Sequence, residues 1–93
     1  MEQQTALRCS AAFALVARMQ AAGDTSVQDF PAMGSRGKEF MVRSMARLMD
    51  EKGYDRAAIS RLLTEQVQEL QANRDALDAV MPACQLLLEG AGI

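Results

Sequence analysis

Histidine is absent from this chain of 93 residues. Its absence removes the usual general base, the commonest metal ligand and the side chain that switches charge near neutral pH. A zinc enzyme is therefore not expected. Aromatic residues make up only 4% of the chain (Phe13, Phe30, Phe40 and Tyr54), so a core must be built from Leu, Met, Val and Ala, which suits helix packing better than a sheet. No apolar run approaches the roughly 18 residues that a bilayer span requires; the longest, Ala11 to Ala17, is stopped by Arg18. A strong charge of either sign is also missing. The net charge of -2 lacks the basic excess of a nucleic-acid binder, and no polyacidic tail is present. Glu2 stands where a secretory leader would carry basic residues, so the chain reads either as cytosolic or as a mature form whose leader has been removed.

With 49% apolar and 24% charged residues, the composition is that of a globular chain rather than a disordered one. One domain over 1–93 is expected, and a domain of this size buries roughly 60–65% of the surface of its unfolded form. Glycine and capping residues divide it into four helices at about 5–22, 35–52, 55–72 and 74–89. Thr5 is placed to cap the first, and Gly23 follows its end in the position that favours a left-handed residue. The stretch Ala11 to Ala17 is apolar nearly all round, which predicts a helix buried between neighbours. Asp24 to Gly34 reads as a loop, with room for one helical turn near Ser26 to Asp29.

The second helix carries Met41, Val42, Met45, Leu48 and Met49 at one-face spacing and ends at Gly53. Asp55 caps the third, whose stripe is Ile59, Leu62, Leu63, Val67 and Leu70; a tight Gly53-Tyr54 turn makes the two a helical hairpin. Asn73 caps the fourth, with Leu77, Val80, Met81, Cys84, Leu87 and Leu88 in phase and a kink expected at Pro82. The fold class is thus all-α, a small irregular or orthogonal four-helix bundle in which the first and last helices pack together.

Few residues offer chemistry. Cys9 and Cys84 form no C-x-x-C pair, which excludes zinc-ribbon, thioredoxin-like and haem-attachment motifs. They can be two small buried hydrophobes of a reduced protein, or a disulfide; one thiol on an apolar face at each end of the chain is what a staple between terminal helices needs. Met41, Met45 and Met49 recur at every fourth residue, either as core filling or as an adaptable apolar face for a partner or a second copy, and soft thioethers without histidine make only a poor copper site. Gly34 to Lys38 opens the second helix, and Arg36, Lys38, Arg43 and Arg47 beside free backbone N–H groups would suit an anion. The same residues read equally as a solvated face, with Glu39 four residues before Arg43, and the spacing is not that of a phosphate-binding P-loop. The serines match no nucleophile elbow, the carboxylates have no reason to converge, and no cofactor motif is present.

The stretch Arg8 to Ala17, with Arg36-Gly37-Lys38-Glu39-Phe40 and Arg47-Leu48-Met49-Asp50-Glu51, resembles small uncharacterised helical proteins of alphaproteobacteria, a resemblance that extends over most of the chain. It implies an exported protein with a cysteine near the mature N-terminus and no assigned activity. Periplasmic acid-stress chaperones are similar in size, helicity and cysteine count, although their cysteines lie much closer together. The expectation is a non-enzymatic interaction or chaperone-like module of the periplasm. A cytosolic adaptor holding an anionic ligand at the basic helix start is the alternative.

Overall fold

The computed structural model of the chain describes residues 2–93, with side chains from Gln4 onward. Four helices follow one another: α1 at Glu2–Ala21, α2 at Gly34–Lys52, α3 at Arg56–Ala72 and α4 at Arg74–Gly90, with a 3-10 turn at Thr25–Val27. The bounds lie close to those the sequence predicts, with one correction at the start. Thr5 sits inside α1 and does not cap it, because the good helix formers Glu2, Gln3 and Gln4 carry the helix back another turn. The other signals act as anticipated. Asp55 Oδ1 accepts from the Ala58 amide at 2.8 Å and Asn73 Oδ1 from the Ala76 amide at 3.2 Å, while Gly53 ends α2 with φ 68°. Pro82 withholds the N–H that the Asp78 carbonyl would accept, yet α4 runs on to Gly90.

α1 is the central element. Ala11, Ala12, Phe13, Leu15 and Val16 are all buried, and α2, α3, α4 and the 3-10 turn each pack on this helix. The arms of the α2–α3 hairpin touch α1 far more than they touch each other. Two neighbouring hydrophobic clusters result. The larger joins Phe13, Val16 and Leu15 to Val27, Met33, Leu70, Leu77, Met81 and Leu88, and the smaller closes Leu7 against Met45, Leu48 and Ile59. Phe13 meets Phe40 edge to face, with ring centroids 5.2 Å apart. Cys9 and Cys84 are bonded, their Cα atoms 5.2 Å apart, so α1 and α4 are tied covalently.

Two polar nodes hold the connection between α1 and α2. The Gln20 amide nitrogen donates to the carbonyls of Val27, Phe30 and Pro31 at 3.1–3.2 Å, and its oxygen accepts from the Met33 amide at 3.1 Å. A single side chain thus serves the backbone of a segment that has little regular structure to satisfy it. The second node starts at Asp24, whose carboxylate accepts from the Ser26 hydroxyl at 2.6 Å and amide at 2.9 Å. Arg74 of α4 donates to Ser26 Oγ at 2.8 Å and to its carbonyl at 3.0 Å, and also reaches Asp78 at 3.0 Å.

The Ser26 hydroxyl, then the Ser26 amide and the Arg74 charge, lower the Asp24 pKa below the ordinary 3.8. A depressed folded pKa means that this contribution is fully present above the unfolded value and is lost as pH falls through the folded one. In an NMR titration, the Asp24 carboxyl and the Ser26 amide are expected to change together with a midpoint below 3.8. A midpoint at or above that value would show that the turn is not held by this carboxylate.

Ser10 is fully buried beside Cys9, and its hydroxyl has no hydrogen-bond partner among the described residues. Burying an unsatisfied hydroxyl costs about 1–3 kcal/mol, and alanine is also the better helix former. Ser10→Ala is therefore expected to stabilise the protein by about 1 kcal/mol, read from the midpoint of denaturant unfolding. A lowered midpoint would mean that the hydroxyl has a role in the native packing.

Candidate functional site

Packing on α1 decides which apolar residues remain available. The buried face of α2 is centred on Gly37, Phe40 and Leu48. The expected stripe from Met41 to Met49 is therefore rotated toward α3: Met45 is buried, Met41 and Met49 are half-buried, and Val42 is 55% exposed. Met45 shares a cluster with Leu7, Leu48 and Ile59, and Met41, Met49, Leu62 and Leu63 pack against that cluster, which places most of this stripe between helices rather than at an open surface. A similar difference affects α4. Leu77, Met81, Cys84 and Leu88 are buried, but Leu87, expected within the stripe, is 43% exposed and the adjacent Leu86 is 70% exposed.

Leu86 and Leu87 form one wall of a groove of about 640 Å³ between α4 and α2. Phe40, Arg43, Ser44 and Arg47 line the other wall, at the i, i+3, i+4, i+7 spacing of a single helical face. Thr5 and Ala6 of α1 contribute to the lining. The end of the groove is built by the segment after α4, where Gly92 takes φ 75° and turns the chain so that Ile93 packs on the core. Only glycine adopts this conformation without strain. Arg36 secures the turn, donating through Nε and Nη2 to the Ile93 main-chain oxygen at 3.1 and 3.0 Å.

The four basic residues of α2 divide into two sets. Arg36, Arg43 and Arg47 share the flank facing α4, whereas Lys38, two residues after Arg36, points roughly 200° away around the helix. Arg36 is occupied by Ile93, and Arg43 donates to Glu39 at 2.9 Å and reaches the Ala91 carbonyl at 3.5 Å. Arg47 lines the groove, is exposed, and forms no ion pair among the described residues. The first turn of α2 receives no side-chain cap from Met33. Gly37 serves the packing of α1 and α2: a Cβ there would lie 2.9 Å from Phe13 Cβ.

A second groove, of about 650 Å³, lies on the α1–α3 side beside Leu7, Leu48, Tyr54 and Leu62. Arg8 also lines it, donating to Gln66 at 3.0 Å and approaching Glu69 at 3.8 Å. Among the described residues no cluster of three or more metal-ligating side chains is present, and no helix is long and apolar enough to cross a membrane. Neither Leu86 nor Gln20 attracts notice in the sequence as a site residue. Leu86 falls one position out of phase with the α4 stripe, which is the available signal that a large apolar side chain there faces outward. Comparison of the chain with protein-family models, with curated proteins and with solved structures finds no match.

Proposed function

We propose that the protein is a non-enzymatic interaction module of an oxidising compartment such as the periplasm, which holds an apolar helical segment of another protein in the groove between α2 and α4. The observation that carries this reading is the pair Leu86 and Leu87, 70% and 43% exposed, facing a wall of α2 across a concave surface. Large apolar side chains that gather at a groove mark a place where another surface is covered, whereas scattered ones need no explanation. A trough between two helices that is also lined by α1 accepts a further helix by ordinary bundle packing. The Cys9–Cys84 bond supports both parts of the reading, since disulfides persist in oxidising compartments and this one ties α4 to the central helix. The Met41, Met45 and Met49 stripe then acts mainly as adaptable filling behind the groove wall.

The direct test is NMR titration of the oxidised protein with a neutral amphipathic peptide, leucine on one face and glutamine on the other. Amide shifts are expected at Phe40, Ser44, Leu86 and Leu87 and not at the α1–α3 groove. The Leu86→Ser/Leu87→Ser double variant, altered at exposed positions, is expected to keep its helical signal and lose the shifts. No shifts at millimolar peptide would retire the groove as a binding surface.

A further inference from the structure

We infer that the partner segment is acidic as well as apolar: an amphipathic helix with leucine-like residues on one face and carboxylates one turn apart along its flank. The inference rests on the groove reading above and adds the charge of the occupant. The chain as a whole carries a net charge of -2, yet among the described residues the groove lining holds two arginines, Arg43 and Arg47, and no Asp or Glu. The two lie one helical turn apart on the same face of α2, about 6 Å along its axis. Arg43 already pairs with Glu39 at 2.9 Å and reaches the Ala91 carbonyl at 3.5 Å, so only its remaining N–H donors are left for a second carboxylate. Arg47 has no ion-pair partner among the described residues, so its full charge is available to an incoming carboxylate.

The arrangement sets both position and polarity. Apolar anchors of the ligand would lie over Phe40, Leu86 and Leu87, and a carboxylate pair at i and i+4 would match the Arg43–Arg47 spacing. Arginine suits this task because its planar fork pairs carboxylates in a bidentate manner while its stem covers apolar surface. A basic helix would meet like charge at the rim, which supplies discrimination as well as attraction.

Three helical peptides with the same leucine face distinguish the outcomes, one with glutamate at i and i+4 on the flank, one with lysine and one with glutamine. The oxidised full chain is expected to bind the glutamate peptide about tenfold more tightly than the lysine peptide, with a preference that weakens as salt rises. Arg47→Glu, at an exposed position, is expected to reverse the order without changing the helical signal. Equal affinity for all three peptides would overturn the charge inference and leave the apolar groove standing. Failure of all three to bind would overturn both. Self-association that is lost in Leu86→Ser would identify a second copy as the occupant. Leu86-dependent binding to phosphatidylglycerol vesicles without peptide binding would identify a lipid surface. Either of these results would also overturn the proposal.

Discussion

Replacing Cys9 and Cys84 together by alanine is expected to lower the stability of the protein by about 4 kcal/mol and its thermal midpoint by roughly 15–30 °C. The magnitude follows from the loop. The bond joins residues 75 positions apart, so its loss frees nearly the whole chain in the unfolded state. Loop entropy grows only with the logarithm of length, which places a closure of this size near the upper end of what one disulfide contributes. Small domains have roughly 5–15 kcal/mol in total, so the change is a large share. Both cysteines are 2% exposed within the main cluster, and alanine therefore also removes two packed sulfur atoms. Reduction of the unaltered protein separates the two contributions, because it breaks the crosslink and keeps the sulfurs. A variant that unfolds at the same denaturant concentration as the oxidised protein would show that the unfolded chain is already compact around these helices.

Helix existence and boundaries were legible in the sequence because their signals are local. Asp55 and Asn73 reach amides only three residues on, and Gly53 needs nothing but a left-handed backbone to end α2. The Cys9–Cys84 pairing was readable as one of two alternatives, since position on apolar faces bears on proximity but the redox state does not follow from pattern. Rotation of each helix about its axis was harder to read. Counting Met41, Val42 and Met49 as the α2 stripe shifts its centre away from Gly37 and Phe40, and only the close approach of α1 reveals that a glycine belongs to the buried face. Val42 is exposed for this reason.

The candidate site was legible in its components and not in its assembly. Arg43 and Arg47 were evident as a basic pair, but their neighbours across the groove are Leu86 and Leu87, more than three dozen positions later in the chain. Arg36 reads as a third member of an anion site until the chain after α4 folds back to place the Ile93 main-chain oxygen on its guanidinium. Gln20 carries no sequence signal, since a glutamine near a helix end is ordinary. Its four contacts with the connecting segment follow from the path of that segment over α1. Contacts of this kind depend on the tertiary course of the backbone, which periodicity does not encode.

Gly37→Ala is expected to destabilise the protein by about 2 kcal/mol, although the substitution by itself favours a helix. Two terms act in its favour. Alanine exceeds glycine in helix propensity by about 1 kcal/mol, and a buried methyl adds about 0.8 kcal/mol of apolar burial where space exists. Here there is no space: the new Cβ would sit 2.9 Å from Phe13 Cβ, with Met33 Cβ at 3.6 Å on another side. Phe13 Cβ is attached directly to the α1 backbone and cannot rotate away, so α1 and α2 must separate. That movement would also disturb the Phe13–Phe40 edge contact, in the middle of a core with few other aromatic side chains. Gly34→Ala provides the control, since the same added methyl, three residues earlier in the same helix, meets nothing within 4 Å. That variant is expected to unfold within about 0.5 kcal/mol of the parent or slightly later. If both variants proved equally stable, the α1–α2 interface would have to accommodate a methyl group without loss of packing, and the close approach at Gly37 would not be what fixes the distance between these helices.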